Sequence, residues 1–377
     1  MAAPSPALSA LVNSIEASAI RRIFALAVTL KDPIDLSIGM PHFDTPDAVK
    51  EAAIGAIRAG HNKYTLSGGI PPLREALLKR WQDTYGVKQE AALITGGCCG
   101  SLLVALLSTI NPGDEVLLPD PYFVAYPQLV KIAQGVPAYY EAMGSAEAVV
   151  KSIEKALTKR TKLLVIGSPS NPTGLVLPKA AIQAIVKTAQ ARGVWVLSDE
   201  IYEAFVFDEA HFSAGSVDPN VIVVGSFSKS HSMTGWRIGY ALGPTPVVEA
   251  MIKLQQFTFV NPPSPFQHAA LAALKTPVDY AAREYKLLRD LIYGGLIEKG
   301  YTVQKPGGAF YIFPEVPKGS GCKTGAEFCE KAITKNMLMV PGCAFSRKDT
   351  HFRISYATSQ TKLKQAIQVL GDLAAGK

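Results

Sequence analysis

Lys229 stands in Ser226-Phe227-Ser228-Lys229, eight residues before Arg237 in Thr234-Gly235-Trp236-Arg237-Ile238-Gly239. The stretch follows directly on an apolar run, residues 221–225, that reads as a strand. A lysine in a strand-exit loop can form a Schiff base with an aldehyde. The hydroxyls of Ser226 and Ser228 and the guanidinium of Arg237 would then hold an adjacent phosphate.

Four further clusters share that placement after apolar runs. They are Ile94-Thr95-Gly96-Gly97-Cys98-Cys99-Gly100-Ser101, Asp120-Pro121-Tyr122-Phe123, Ser168-Pro169-Ser170-Asn171-Pro172-Thr173-Gly174 and Ser198-Asp199-Glu200-Ile201-Tyr202. The first is a Gly-rich strand-to-helix turn. Helix N-termini expose unpaired N–H groups and a positive dipole end, so the backbone of Gly97, Cys98 and Cys99 is a candidate phosphate cradle. The vicinal cysteines also invite a metal or redox reading, but no second Cys/His cluster accompanies them, and no metal site is expected.

These clusters, in this order, resemble the signatures of the class I/II aminotransferases, enzymes of fold type I that use pyridoxal 5'-phosphate (PLP). The resemblance implies that Lys229 carries PLP as a Schiff base and that Asn171 and Tyr202 bond its phenolic oxygen. It also implies that Asp199 pairs with the pyridine nitrogen and that Phe123 stacks on the ring. A carboxylate beside that nitrogen keeps it protonated, which lets the ring accept electrons when a Cα bond breaks. On the substrate side, Gly39-Met40-Pro41-His42 and Phe352-Arg353-Ile354-Ser355-Tyr356 match the family elements that hold the α-carboxylate, with Arg353 as the bidentate grip and Gly39 and Asn171 beside it. His42 replaces an acidic residue common in the family and is read as a structural polar residue. Asn62-Lys63-Tyr64-Thr65 resembles the element whose tyrosine crosses to the other subunit's phosphate, so the resemblance implies a homodimer with shared sites and assigns Tyr64 to the cofactor. The matching segments run from about residue 35 to 356.

The elements that must position these residues are legible in the hydrophobic pattern. Candidate strands at 92–95, 115–118, 162–167, 194–198, 221–225 and 237–242 alternate with amphipathic helical segments, the pattern of a mostly parallel sheet covered by helices. Polar residues gather at the strand ends, where open α/β sheets bind ligands. A long helix over 278–299 leads to a different texture. It has strands at 309–313, 337–340 and 352–356, a helix over 326–334 and a closing helix, and a strand at 35–39 is expected to join them. The fold class is α/β, with a large domain over 45–284 and a smaller α+β domain built from 1–44 and 285–377.

Composition narrows the rest. The chain has 377 residues, 48% hydrophobic and 18% charged, with a net charge of +7 spread as singles and pairs, so no nucleic-acid stripe is present. The five cysteines lack CxxC spacing, and no basic segment precedes an apolar stretch near the start, which together point to a reduced, cytoplasmic setting. No GxGxxG opens a helix after the first strand, against a dinucleotide-binding oxidoreductase. A PLP-sensing regulator would need a DNA-binding extension that the roughly 35 residues before the first match do not offer. Transamination of an L-amino acid with a 2-oxo acid is the expected reaction. A PLP-dependent β-lyase or another elimination on the same scaffold is the alternative.

Overall fold

The computed structural model describes residues 6–15, 30–87 and 89–377. Its centre is a seven-stranded sheet of β2 (Ala91–Gly96), β3 (Glu115–Asp120), β4 (Val136–Glu141), β5 (Thr161–Gly167), β6 (Trp195–Asp199), β7 (Ile222–Ser226) and β8 (Ile238–Gly243), in the order β2-β8-β7-β6-β5-β3-β4. β8 runs antiparallel to both neighbours, and the other pairs are parallel. Successive residues point to opposite faces, and both faces are buried. Leu117, Leu164, Ile166, Val196 and Val223 enter one core, while Val116, Leu163, Val165, Leu197 and Val224 enter another on the far side. The near-continuous apolar runs therefore signalled doubly covered strands. β4 escaped the sequence pattern because it is an edge strand, mostly half-exposed and interrupted by Pro137.

A third core gathers Leu36, Tyr285, Leu288, Ile292, Phe310, Met337, Phe352, Ile354, Leu363 and Leu370. It is organised by the helix Asp279–Glu298, the helix Gln360–Ala374 and two small sheets. β1 (Ile34–Asp35) pairs with β10 (Met337–Leu338), and β9 (Tyr311–Ile312), β11 (Val340–Pro341) and β12 (Phe352–Ser355) form the second sheet in the order β11-β12-β9. Of the stretch 1–44 assigned to the smaller domain, residues 1–5 and 16–29 lie outside the described residues.

Several boundaries differ from the pattern for physical reasons. The strand expected over 35–39 stops at Asp35, whose Oδ1 accepts from Ser37 N (2.9 Å) and Ser37 Oγ (2.6 Å) and turns the chain. The strand expected over 309–313 shrinks to two residues because Ala309 takes a left-handed φ of 57° and its N–H donates to Phe205 O instead of a sheet partner. The run 337–340 splits, its first half pairing with β1 and its second with β12. Lys229 lies in a one-turn helix, Phe227–Ser230, rather than a loop; Ser226 caps it by accepting from Ser228 N at 3.0 Å. Arg237 precedes β8 instead of opening it, since its φ of 58° closes the 3-10 turn Thr234–Trp236.

The consequence for function is geometric. β5, β6 and β7 end at Gly167, Asp199 and Ser226, all on one edge of the sheet, and β2 and β3 end there as well. Antiparallel β8 starts there, just after Arg237. The clusters that contain Gly97, Phe123, Asn171, Asp199, Lys229 and Arg237 therefore leave the sheet on the same side.

Candidate active site

That edge opens into a cavity of about 340 Å³. Its wall includes Gly39, Cys98, Cys99, Phe123, Asn171, Asp199, Tyr202, Ser228, Lys229, Arg237 and Arg353, residues drawn from eight chain segments and separated by more than three hundred positions in sequence. Three of the sequence candidates do not line it. Ser226 is turned inward, its Oγ donating to Ile238 O and accepting from Ser228 Oγ, both at 2.8 Å. Gly97 lies behind Arg237: a Cβ there would stand 2.3 Å from Arg237 Nη2, so only glycine lets the guanidinium come this close. Tyr64 is 86% exposed, on a separate depression with His61, Lys63 and Thr65.

Asp199 sits fully buried at the end of β6. Tyr126 Oη donates to its Oδ2 at 2.7 Å, and Oδ1 accepts from Ile201 N at 3.2 Å with Cys98 Sγ 3.7 Å away. Burial nevertheless pushes its pKa above the ordinary carboxylate value, outweighing these hydrogen bonds. A carboxylate so placed, facing a cavity, is a docking point for a cationic N–H. Tyr126 was missed in the sequence; it lies three residues past Phe123, and its ring packs edge-on against Phe123 with centroids 5.5 Å apart.

Lys229 reaches the same cavity from β7, and its ammonium donates to Gly39 O. Burial, then the nearby charges of Arg353 and Arg237, lowers its pKa to about 8. Arg353 is buried between the rings of Tyr311 and Phe345, 4.5 and 4.6 Å from its Cζ, and donates to Asn171 Oδ1 (3.2 Å) and Ser37 O (2.6 Å). Its Nε has no partner, and no carboxylate among the described residues pairs with it. A buried guanidinium with an unused donor at a cavity wall is a carboxylate receptor in waiting. Across the cavity, Arg237 and the N-terminus of the helix Cys98–Thr109, which no side chain caps, converge beside Ser228. That corner suits a phosphate. His42 stays out of the cavity, exposed, with its ring against Phe43 and Tyr285.

Comparison with known proteins agrees with this layout. Residues 31–370 match the family model for aminotransferase class I and II. The chain belongs to that family. The aspartate aminotransferase of Geobacillus stearothermophilus is 38% identical over 378 residues, covering 95% of this chain and 96% of that protein. The aspartate/prephenate aminotransferase of Cereibacter sphaeroides is 38% identical, with 93% of each chain covered. The Thermus thermophilus aspartate aminotransferase solved with maleate superposes with a TM-score of 0.93 at 34% identity, covering 98% of this chain and all of that one. The protein is thus an aminotransferase of the class I/II family, and these relatives carry the names of transferases rather than lyases.

The depressed lysine pKa has a consequence for the aminotransferase before any cofactor is added. Between pH 8 and 10.5 the unfolded chain binds the Lys229 proton and the folded chain does not, so the folded state gains stability as pH rises through this window. Below it, the buried ammonium costs on the order of 3 kcal/mol. Cofactor-free Lys229→Met should therefore be more stable than wild type at pH 7 in urea unfolding, with the difference shrinking towards pH 10.5. A difference that does not change with pH would contradict the burial of a titrating amine.

Proposed function

We propose that this aminotransferase holds PLP in the cavity and transfers the amino group of an L-amino acid to a 2-oxo acid. The observation that carries the reading is the pairing, in one cavity, of a buried carboxylate whose pKa is raised and a buried amine whose pKa is lowered. Each is left in an unfavourable state by the protein alone and suits one end of the cofactor. Asp199 would hold the pyridine N–H, Lys229 would bond the aldehyde carbon, and Tyr202 and Asn171 would flank the phenolic oxygen. Phe123 would cover the ring face, while Ser228, Arg237 and the N–H groups of Cys98 and Cys99 would hold the phosphate. When bound, PLP supplies the electron sink for cleavage at the amino acid Cα.

The residues of the chain do the rest. Arg353, already aligned by Asn171 and Ser37 O, fixes the α-carboxylate and so sets which Cα bond faces the lysine. Lys229, with a pKa near 8, is partly neutral at physiological pH and can take the Cα proton as a general base. Asp199, shielded from water by Tyr126 and Cys98, keeps the opposite end of the site negative throughout.

Borohydride reduction of the PLP-loaded protein, followed by peptide mapping, tests the lysine. The label should fall on Lys229 alone, and the Lys229→Ala variant should take up none while losing multiple-turnover activity. A label on another lysine would remove the site assignment.

The proposed setting extends to a homodimer in a cytoplasmic compartment, with a large domain over 45–284 and a small one over 1–44 and 285–377. Tyr64, exposed to 86%, supports the dimer: it is remote from its own cavity and available to a neighbour's. None of the five cysteines forms a disulfide, and no helix among the described residues is long and apolar enough to cross a membrane. Mixing Tyr64→Phe and Lys229→Ala chains checks the shared site. The hybrid has one site free of both changes, so activity should rise above that of either variant alone; additive activity would exclude crossing.

A further inference from the structure

Tyr311 was hidden inside an apolar stretch of the sequence, yet it stands on the cavity wall, buried to within 1%. Its β9 backbone is opposite Ser355 of β12, which places Arg353, two residues earlier on the same strand, as its diagonal neighbour on one face. Its ring lies 4.5 Å from the Arg353 Cζ, and its hydroxyl is 2.9 Å from that of Tyr202. The two tyrosine rings meet edge to face at 87°. The Gly39 Cα packs directly over the same hydroxyl, since a Cβ there would stand 2.4 Å from Tyr311 Oη. One side chain thus touches the arginine that grips the substrate, the tyrosine assigned to the cofactor oxygen and the glycine whose carbonyl accepts from Lys229.

We propose that Tyr311 is a positioning residue: its hydroxyl donates to Tyr202 and aims the Tyr202 proton into the cavity, while its ring holds the Arg353 guanidinium in its carboxylate-binding plane. The inference rests on the cofactor reading above and adds a residue to it. Burial raises both phenol pKa values, so the pair stays neutral and shares a single hydrogen bond. A phenol that accepts one hydrogen bond donates a stronger one, so Tyr202 becomes the better partner for an anionic oxygen. The ring does separate work: a guanidinium stacked on an aromatic face keeps its donors free in its own plane.

The two functions separate by substitution. Tyr311→Phe removes the hydroxyl and keeps the ring; Tyr311→Leu removes both. The readouts are the pH titration of the absorbance of bound PLP and the Kd for a non-reacting α-methyl amino acid. In Tyr311→Phe the chromophore should titrate higher than in wild type by about half a pH unit to one unit, with Kd within about twofold. In Tyr311→Leu the same shift should come with a Kd raised by about tenfold. A Phe variant that titrates with wild type, or Phe and Leu variants with equal Kd, would overturn the inference while leaving the cofactor reading intact. A wild-type protein that takes up no PLP would overturn both.

Discussion

A carboxylate removed from water at the end of a central strand is the constraint around which the site is built. Asp199 is placed there by β6, a strand buried on both faces, so its position follows from the core rather than from a loop. Isolated, such a group would protonate or cost several kcal/mol. The structure supplies hydrogen bonds from Tyr126, Ile201 N and the thiol of Cys98, enough to orient it without cancelling the burial. What remains is an unmet demand for positive charge directed into the cavity. The amine of Lys229 presents the reverse case, a base held partly neutral by burial beside two arginines. The proposed chemistry draws on both groups in those states.

The fold provides this by convergence. Six strands end and one begins along a single sheet edge, and close backbone approaches bring their exits together. At Gly239 of β8 a Cβ would stand 2.3 Å from the Gly97 carbonyl carbon, at Gly97 it would meet Arg237, and at Gly39 it would meet Tyr311. These three glycines set how near Arg237 and Tyr311 come to the neighbouring backbone. From the other side, β12 delivers Arg353 and β9 delivers Tyr311, so the buried guanidinium is anchored in a different core from Asp199 and Lys229. Tyr202 links the two: it follows β6 in sequence but packs in the core that holds Tyr311.

Much of this was legible in the sequence because chemistry and periodicity coincide there. Asp199, Lys229 and Asn171 each stand at the end of an apolar run, and runs buried on both faces are the easiest strands to read. The cavity wall indeed collects Gly39, Cys98, Cys99, Phe123, Asn171, Asp199, Tyr202, Ser228, Lys229, Arg237 and Arg353. What escaped depended on three-dimensional contact. β4 carries its pattern only weakly as an edge strand, Ser226 resembles a ligand residue but spends its hydroxyl on a helix cap, and Ala309 breaks a strand through a φ that no propensity announces. Tyr126 and Tyr311 look like core aromatics, and only their hydroxyl partners, Asp199 and Tyr202, distinguish them. Tyr64 lies where a single chain shows no function for it.

Asp199 is proposed to act on the reaction through the charge it keeps buried rather than by holding the cofactor in place. Measuring PLP occupancy and kcat together in Asp199→Ala tests it most directly. Retained PLP with kcat lowered on the order of a hundredfold to a thousandfold is the expected result, because the lost interaction matters most where charge develops. Full occupancy with turnover within about threefold of wild type would contradict it.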